Sequence, residues 1–257
     1  MSVLNLPEPA GWDSSGRRLT WMAVVAVLVF LPGVVYAGRA AMRGHYLTAL
    51  ALTCLVACPV LLVVALQLVR SGRTSLRAEQ DSSGTMLLPD KRFSVLTLMG
   101  LALAIVGFLV IAVATPLRTL DIPMSDGMRT FSPFVAGFGA VVGVVGLITG
   151  WRRGGVGYIE LTPSGIDIAN IAYTESVDWA DIDDVTDTAD TKKTRKAVVL
   201  RLRDGSEKVI DGADFYVPQG VPLYWMVRHY WGHADDRREL VDGRALERLE
   251  CARFETL

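Results

Sequence analysis

The chain has 257 residues, 51% of them hydrophobic and 21% charged, with 26 basic and 27 acidic side chains. That length suits one large domain or two small ones. The composition excludes a disordered chain, a collagen-like repeat and a disulfide scaffold, and the near-zero net charge leaves no electrostatic footprint for nucleic acid. The charge is unevenly spread: the stretch from residue 19 to 151 is nearly free of it outside short clusters, whereas residues 152–257 have the composition of an ordinary soluble protein.

A membrane-spanning helix needs roughly 20 largely apolar residues. Four segments qualify, Leu19–Gly38, Tyr46–Val69, Ser94–Pro116 and Phe131–Trp151, and none contains Asp, Glu, Lys or Arg. Pro32-Gly33 and Pro59 fall inside the first two, where they predict kinks. Cytoplasmic flanks carry the excess of Lys and Arg. Arg17, Arg18, Arg70, Arg73, Arg77, Lys91, Arg92, Arg152 and Arg153 flank one side, against Arg39, Arg43, Arg118 and Arg129 on the other, which places both termini in the cytoplasm. A rival reading remains open at the N-terminus. Arg17-Arg18, the apolar run and Val35-Tyr36-Ala37 also resemble a signal peptide, whose removal would start the mature chain at Gly38 and leave three spans in unchanged orientation.

The fourth span carries a stripe of small residues. Ser132, Ala136, Gly139, Gly143, Gly146 and Gly150 recur at spacings of four and three, which puts them on one helical face. Small residues let two helix backbones approach closely in lipid. Two partners fit this stripe: another span of the same chain, for which Gly100, Ala104 and Gly107 of the third span form a shorter matching stripe, or a helix of another protein. The spans hold no ionisable residue of the kind that pumps and transporters use for coupling, so a stand-alone transporter is not expected. Cys54 and Cys58, one turn apart, read as small packing residues, and with Cys251 they imply no disulfide framework.

After Trp151 the pattern changes to period two. Val156–Leu161 and Ile166–Ala172 read as strands around the turn Thr162-Pro163-Ser164-Gly165, and Ser176–Val185 alternates with Val177, Trp179 and Ile182 as buried points. Ala197–Arg203 and Ser206–Asp211 flank Asp204-Gly205, a strong hairpin signal. A helix is expected over Val221–Trp231, with Leu223, Met226, Val227 and Tyr230 on its apolar face, and a shorter one over Gly243–Arg253. Between the second and third spans, Thr74–Gln80 and Thr85–Leu88 flank Asp81-Ser82-Ser83-Gly84 as another hairpin. A lone hairpin is marginal in water, so one β-domain assembled from both segments is expected.

The segments "YIELTPSGI", "VDWADIDDV", "LRDG", "LYWMVRHYWGH" and "RRELVDGRALERL" resemble actinobacterial multi-pass membrane proteins with a pleckstrin-homology-like module. Size and layout are similar to the lipid-uptake coordinator accessory proteins of mammalian-cell-entry transport systems. That resemblance covers residues 74–92 and 155–250, rests on structural motifs, and implies a non-enzymatic subunit that stabilises a fatty-acid or sterol importer.

Three constellations of polar residues bear on chemistry. The acidic run Asp178, Asp181, Asp183, Asp184, Asp187 and Asp190 does not fit a calcium loop, because Thr186 and Lys192 stand where Gly and Glu are needed. The basic residues Lys192, Lys193, Arg195 and Lys196, with Arg152 and Arg153, are candidates for anionic headgroup contact. His229 and His233 are four apart, but no third ligand lies nearby and Gly232 ends the helix, so no metal is expected. Neither a nucleophile elbow nor a phosphate loop is present. Trp225 and Trp231 pack on the sheet or sit at the membrane interface.

The expected architecture is an α+β membrane protein. A cytoplasmic N-terminus (1–18) leads into a transmembrane hairpin (19–69), a cytoplasmic loop with a β-hairpin (70–93), a second transmembrane hairpin (94–151), and a cytoplasmic pleckstrin-homology-like antiparallel β-domain with C-terminal helices (152–257). The expected role is an accessory or scaffold subunit with no cofactor, partnered by the lipid bilayer and other membrane subunits. The alternative is a membrane-tethered sensor of anionic headgroups or a peptide.

Overall fold

The computed structural model describes residues 6–12, 16–171, 173–190 and 194–254, without the side chains of residues 16–27 and 29. The chain is α+β and divides into two compact units. Ser15–Leu66 with Val95–Arg152 form a helical unit; the N-terminal residues, Gln67–Ser94 and Arg153–Leu257 form a sheet unit.

The helical unit is built from α1 (Gly16–Met42), α2 (Tyr46–Arg70), α3 (Lys91–Ala114) and α4 (Asp126–Arg152). Among the described residues three helices, α2, α3 and α4, are long and apolar enough to cross a membrane. The first expected span, Leu19–Gly38, lies within α1, most of whose side chains in that stretch fall outside the described residues. Pro32, Pro59 and Pro133 all sit inside continuous helices.

Small residues set how these helices approach one another. A Cβ added at Gly33 of α1 would meet Val56 of α2 at 3.0 Å. One added at Gly107 of α3 would stand 2.8 Å from Leu55 Cγ and 3.1 Å from the Ala51 carbonyl oxygen of α2, and one added at Gly100 would stand 3.2 Å from the Cys58 carbonyl oxygen. At one end, the α3–α4 loop is tied to the α1–α2 corner through Asp121. Its amide donates to Thr48 Oγ1 (2.9 Å), its carbonyl accepts from the Tyr36 hydroxyl (2.6 Å), and its carboxylate lies 3.7 Å from His45 Nε2.

The sheet unit contains two antiparallel sheets. The first, in order β1–β2–β3–β4–β5, comprises Arg77–Gln80, Thr85–Leu88, Gly157–Leu161, Gly165–Asn170 and Thr174–Asp178. The second, β6–β7–β8, comprises Ile182–Thr186, Val198–Leu202 and Glu207–Ile210. The β1–β2 hairpin from between α2 and α3 is therefore welded to the C-terminal strands: β2 pairs β3 with Thr85 opposite Leu161 and Leu87 opposite Ile159.

The alternation over Ser176–Val185, read from the sequence as one stretch, breaks in two. A 3-10 turn at Trp179–Asp181 separates β5 from β6, which belong to different sheets. Trp179 causes the corner: its indole is buried and donates to the Thr162 carbonyl (2.8 Å), while its amide donates to the Ser164 carbonyl (3.0 Å). Pairing to the β3–β4 turn thus replaces continuation of the ladder. The Asp204-Gly205 hairpin forms as read, with Gly205 at φ +82°.

Leu87, Ile159, Leu161 and Ile166 of the first sheet and Val185, Val198 and Leu200 of the second share one core with α5 (Val221–Gly232). Leu223, Met226, Val227 and Tyr230 of α5 are fully buried, each such side chain contributing about 1.5–3 kcal/mol on burial. Pro222 in the first turn starts the helix, where its missing N–H costs nothing. The chain ends in α6 (Glu239–Asp242) and α7 (Arg244–Cys251), whose Leu240 and Leu249 complete the core.

Asp90 joins the hairpin to α3. It is 2% exposed and takes four donors: the Ser75 amide (2.7 Å) and hydroxyl (2.8 Å), and the amides of Arg92 (2.7 Å) and Phe93 (3.3 Å), which cap the helix. Burial opposes its ionisation, but these hydrogen bonds outweigh it and hold its pKa below the usual carboxylate value. A depressed folded pKa stabilises the fold fully above the unfolded value of about 3.9, and the contribution is lost as pH falls through the folded value.

Three variants have expected outcomes. Asp90→Ala, which strands buried donors, lowers stability by about 1–3 kcal/mol, and Asp90→Asn shows a smaller acid-induced drop in thermal midpoint than wild type between neutral pH and pH about 3; both are read by thermal unfolding in detergent. Gly84 faces β3 so closely that a Cβ would run into the Leu161 carbonyl oxygen, and Gly84→Val is expected to cost about 1–3 kcal/mol and to expose residues 153–254 to limited proteolysis.

Candidate functional site

The helix that carries the sequence-derived interface begins at Asp126, after Ser125, whose hydroxyl accepts the Met128 amide (3.3 Å). Helical spacing sorts its side chains into two faces. Ala136, Gly143 and Gly150 are buried and Ser132, Gly139 and Gly146 half-buried, so the small stripe faces inward. It receives large side chains of α3. A Cβ at Gly143 would lie 2.7 Å from Ile105 Cγ1 and 3.7 Å from Leu101, and one at Gly139 would lie 3.4 Å from the Phe108 ring. Gly100 and Gly107, the expected mates, face α2 instead. α3 therefore presents its small residues to α2 and its large ones to α4, because a groove floored by glycine is filled best by a branched or aromatic side chain.

The opposite face of α4 is apolar and open. Phe134 is 74% exposed, Phe138 72% and Trp151 81%, and Phe131, Val135, Val141 and Val145 accompany them. A contiguous apolar strip of this kind is compatible with lipid tails or with the helix of another protein.

The basic candidates are dispersed in their roles. Lys192 and Lys193 lie outside the described residues. The Arg195 guanidinium pairs with buried Asp214 and lies over the Phe215 ring. Burial raises the Asp214 pKa, with Arg195 and Lys196 pulling it back. Lys196 donates to the Gln219 carbonyl (3.0 Å), lies 3.7 Å from Glu8 and sits over Trp12. Arg153 donates to the Asn170 carbonyl, and Arg152 is exposed at the end of α4.

The two histidines belong to the wall of the core. His229 Nε2 lies 3.1 Å from Asp236 Oδ2, and its ring stacks on His233 at 4.5 Å between centroids. Burial lowers the His229 pKa, Arg248 and His233 lower it further, and Asp236 opposes them. Beside it, Tyr230 donates to Glu239 (3.1 Å), which takes two 2.8 Å hydrogen bonds from Arg248. Among the described residues no group of three His, Cys, Asp or Glu is arranged to hold a metal. Trp225 and Trp231 pack within the sheet unit, donating to the carbonyls of Pro7 (2.9 Å) and Ile182 (3.2 Å).

Three positions were missed from the sequence. Trp12 is 7% exposed, donates to the Ala197 carbonyl (2.9 Å) and meets Tyr224 edge-to-face, so the N-terminal strap belongs to the core. An isolated Trp in a Pro-rich tail was the available signal. Asp90 just before Lys91 was legible as a helix cap. The Asp121 clamp, formed by single residues far apart in sequence, had no local signal.

The two faces of α4 predict opposite responses. Gly143→Leu overpacks against Ile105 and is expected to lower stability by about 1–3 kcal/mol. Phe138→Ala removes an outward side chain and is expected to leave the thermal midpoint of the detergent-purified protein unchanged. Comparisons with known protein families, curated proteins and solved structures find no match to this chain.

Proposed function

We propose that the chain is a non-enzymatic integral membrane scaffold, an accessory subunit that stabilises a larger membrane assembly. The outward face of α4 carries this reading. Its small stripe is already filled by α3, yet Phe131, Phe134 and Phe138 project outward in a row that a partner helix can use. The resemblance noted in the sequence makes lipid importers the assembly to test first.

The topology proposed with it is four spans with both termini and the sheet unit in the cytoplasm. Chain order supports this. The N-terminal residues, Gln67–Ser94 and Arg153–Leu257 belong to one compact unit, so the chain leaves that unit and returns twice. A unit kept on one side of a bilayer needs an even number of crossings in each excursion, which supports reading α1 as a span paired with α2. The basic flanks then fall inside. A pleckstrin-homology-like character for the sheet unit is supported by its order, antiparallel strands in two sheets followed by α5.

The sensor alternative has less behind it. Of the basic run, Arg195 and Lys196 are paired with Asp214 and Glu8, and a cation so engaged has less to offer a headgroup.

The test is affinity purification of the full chain from its native membranes in mild detergent. Lipid-importer subunits are expected to co-purify in defined ratio, and Phe134→Ala with Phe138→Ala is expected to remove them while the protein stays folded. Purification without any stoichiometric membrane subunit would sink the scaffold reading.

A further inference from the structure

Residues 6–12 lie against the sheet unit, yet both of its sheets are built without them. Pro9 and Trp12 are buried, whereas Pro7, Glu8, Ala10 and Gly11 are exposed. The Trp12 amide donates to the Pro9 carbonyl (3.2 Å), which folds the two buried residues into one turn. The strap is thus held by two anchors and a few polar contacts, and no ladder hydrogen bond depends on it.

Three parts of the sheet unit form the groove that receives it. Tyr224 and Trp225 come from α5. The Trp225 indole donates to the Pro7 carbonyl (2.9 Å), and Tyr224 meets the Trp12 ring edge-on with centroids 6.0 Å apart. Lys196 and Ala197 come from just before β7. The Ala197 carbonyl accepts the Trp12 indole N–H (2.9 Å), and the Lys196 ammonium lies 5.7 Å from the Trp12 ring centroid and 3.7 Å from Glu8. Asp187 and Thr188 come from just after β6, and Asp187 Oδ2 accepts the Gly11 amide (2.7 Å).

These contacts explain the residue types of the strap. Proline has a preset φ and no backbone N–H, so Pro7 and Pro9 cost little to order and leave no donor unpaired. A Cβ on Gly11 would run into the Thr188 methyl and come within 2.8 Å of Asp187 Oδ1, so only glycine fits there. Tryptophan fills an aromatic-walled pocket and hands its N–H to a carbonyl. Proline spacing, an indole donor on a proline carbonyl and an aromatic anchor are the physics of a peptide docked in a groove.

We propose that this groove is a peptide-recognition site for segments of the form Pro-x-Gly-Trp preceded by an acidic residue. Residues 6–12 occupy it in cis and close it to a partner protein that carries the same pattern. A short tether holds its segment at an effective concentration in the millimolar range, so the site is masked until the strap is displaced. The occupant in trans is a different protein and not a second copy, because exchanging identical straps trades the same contacts and forfeits the tether. The site lies within the sheet unit and owes nothing to the outward face of α4.

The test uses the full chain in mild detergent with a protease site in place of Asp13-Ser14-Ser15. The probe is a fluorescein-labelled synthetic peptide of residues 4–12, followed by anisotropy. Before cleavage the tethered strap is expected to exclude the peptide at micromolar concentration. After cleavage and removal of the free strap, the peptide is expected to bind saturably and about tenfold or more tightly. Trp12→Ala in the uncut chain is expected to open the site in the same way. Peptides with Gly11→Val or Trp12→Ala are expected to lose about tenfold or more in affinity, whereas a peptide with the outward Ala10→Ser binds like its parent. A cut chain that keeps its thermal midpoint but takes up no peptide, or one that unfolds on losing the strap, makes the segment a fixed part of the core and overturns the site. Equal binding of the Trp12→Ala peptide would overturn the recognition pattern. A strap-exchanged dimer of the uncut chain in sedimentation would overturn the partner assignment in favour of a second copy.

Discussion

The antiparallel pairing of β2 with β3 is the constraint on which the remaining architecture depends. β2 follows two helices, α1 and α2, and β3 follows two more, so the ladder at Thr85–Leu161 and Leu87–Ile159 closes a loop containing all of α3 and α4. A β1–β2 hairpin by itself is marginal in water, and three C-terminal strands without it would leave the β3 edge open. Each segment therefore completes the other. The close approach at Gly84 and the capped start of α3 at Asp90 are local conditions for that closure.

The same economy governs the helices. Without a hydrophobic force between helices in lipid, association depends on fit. α3 achieves fit on two sides with opposite devices: its own glycines admit α2, while its Leu101, Ile105 and Phe108 enter the glycine groove of α4. One consequence is that α4 spends its small residues inside the chain and offers large ones outside. An interface sought on the small stripe is better sought on the row of phenylalanines behind it.

Electrostatics in the sheet unit is mostly internal. Arg195 and Lys196 tie the loop before β7 to Asp214, Gln219 and Glu8, and Arg248 neutralises Glu239 beneath the Tyr230 hydroxyl. Buried carboxylates demand such partners. Residues that look like a solvated basic patch when read along the chain thus serve to close the domain over Trp12 and Phe215.

Period and composition by themselves determined the apolar helices, most of the strands, the hairpin turns at Asp81–Gly84 and Asp204-Gly205, and the helix over Val221–Trp231 with Leu223, Met226, Val227 and Tyr230 on its buried face. These are local properties: hydrophobic period, turn chemistry and helix stops act within a few residues. Tertiary structure alone decided which helix face meets which, that Ser176–Val185 bends between two sheets around Trp179, that Trp12 enters the core, and that Arg195 and Lys196 are engaged. Each depends on a partner distant in sequence. A glycine stripe specifies close approach without naming the helix that approaches, and a cation specifies a need for an anion without saying whether the chain or a ligand supplies it.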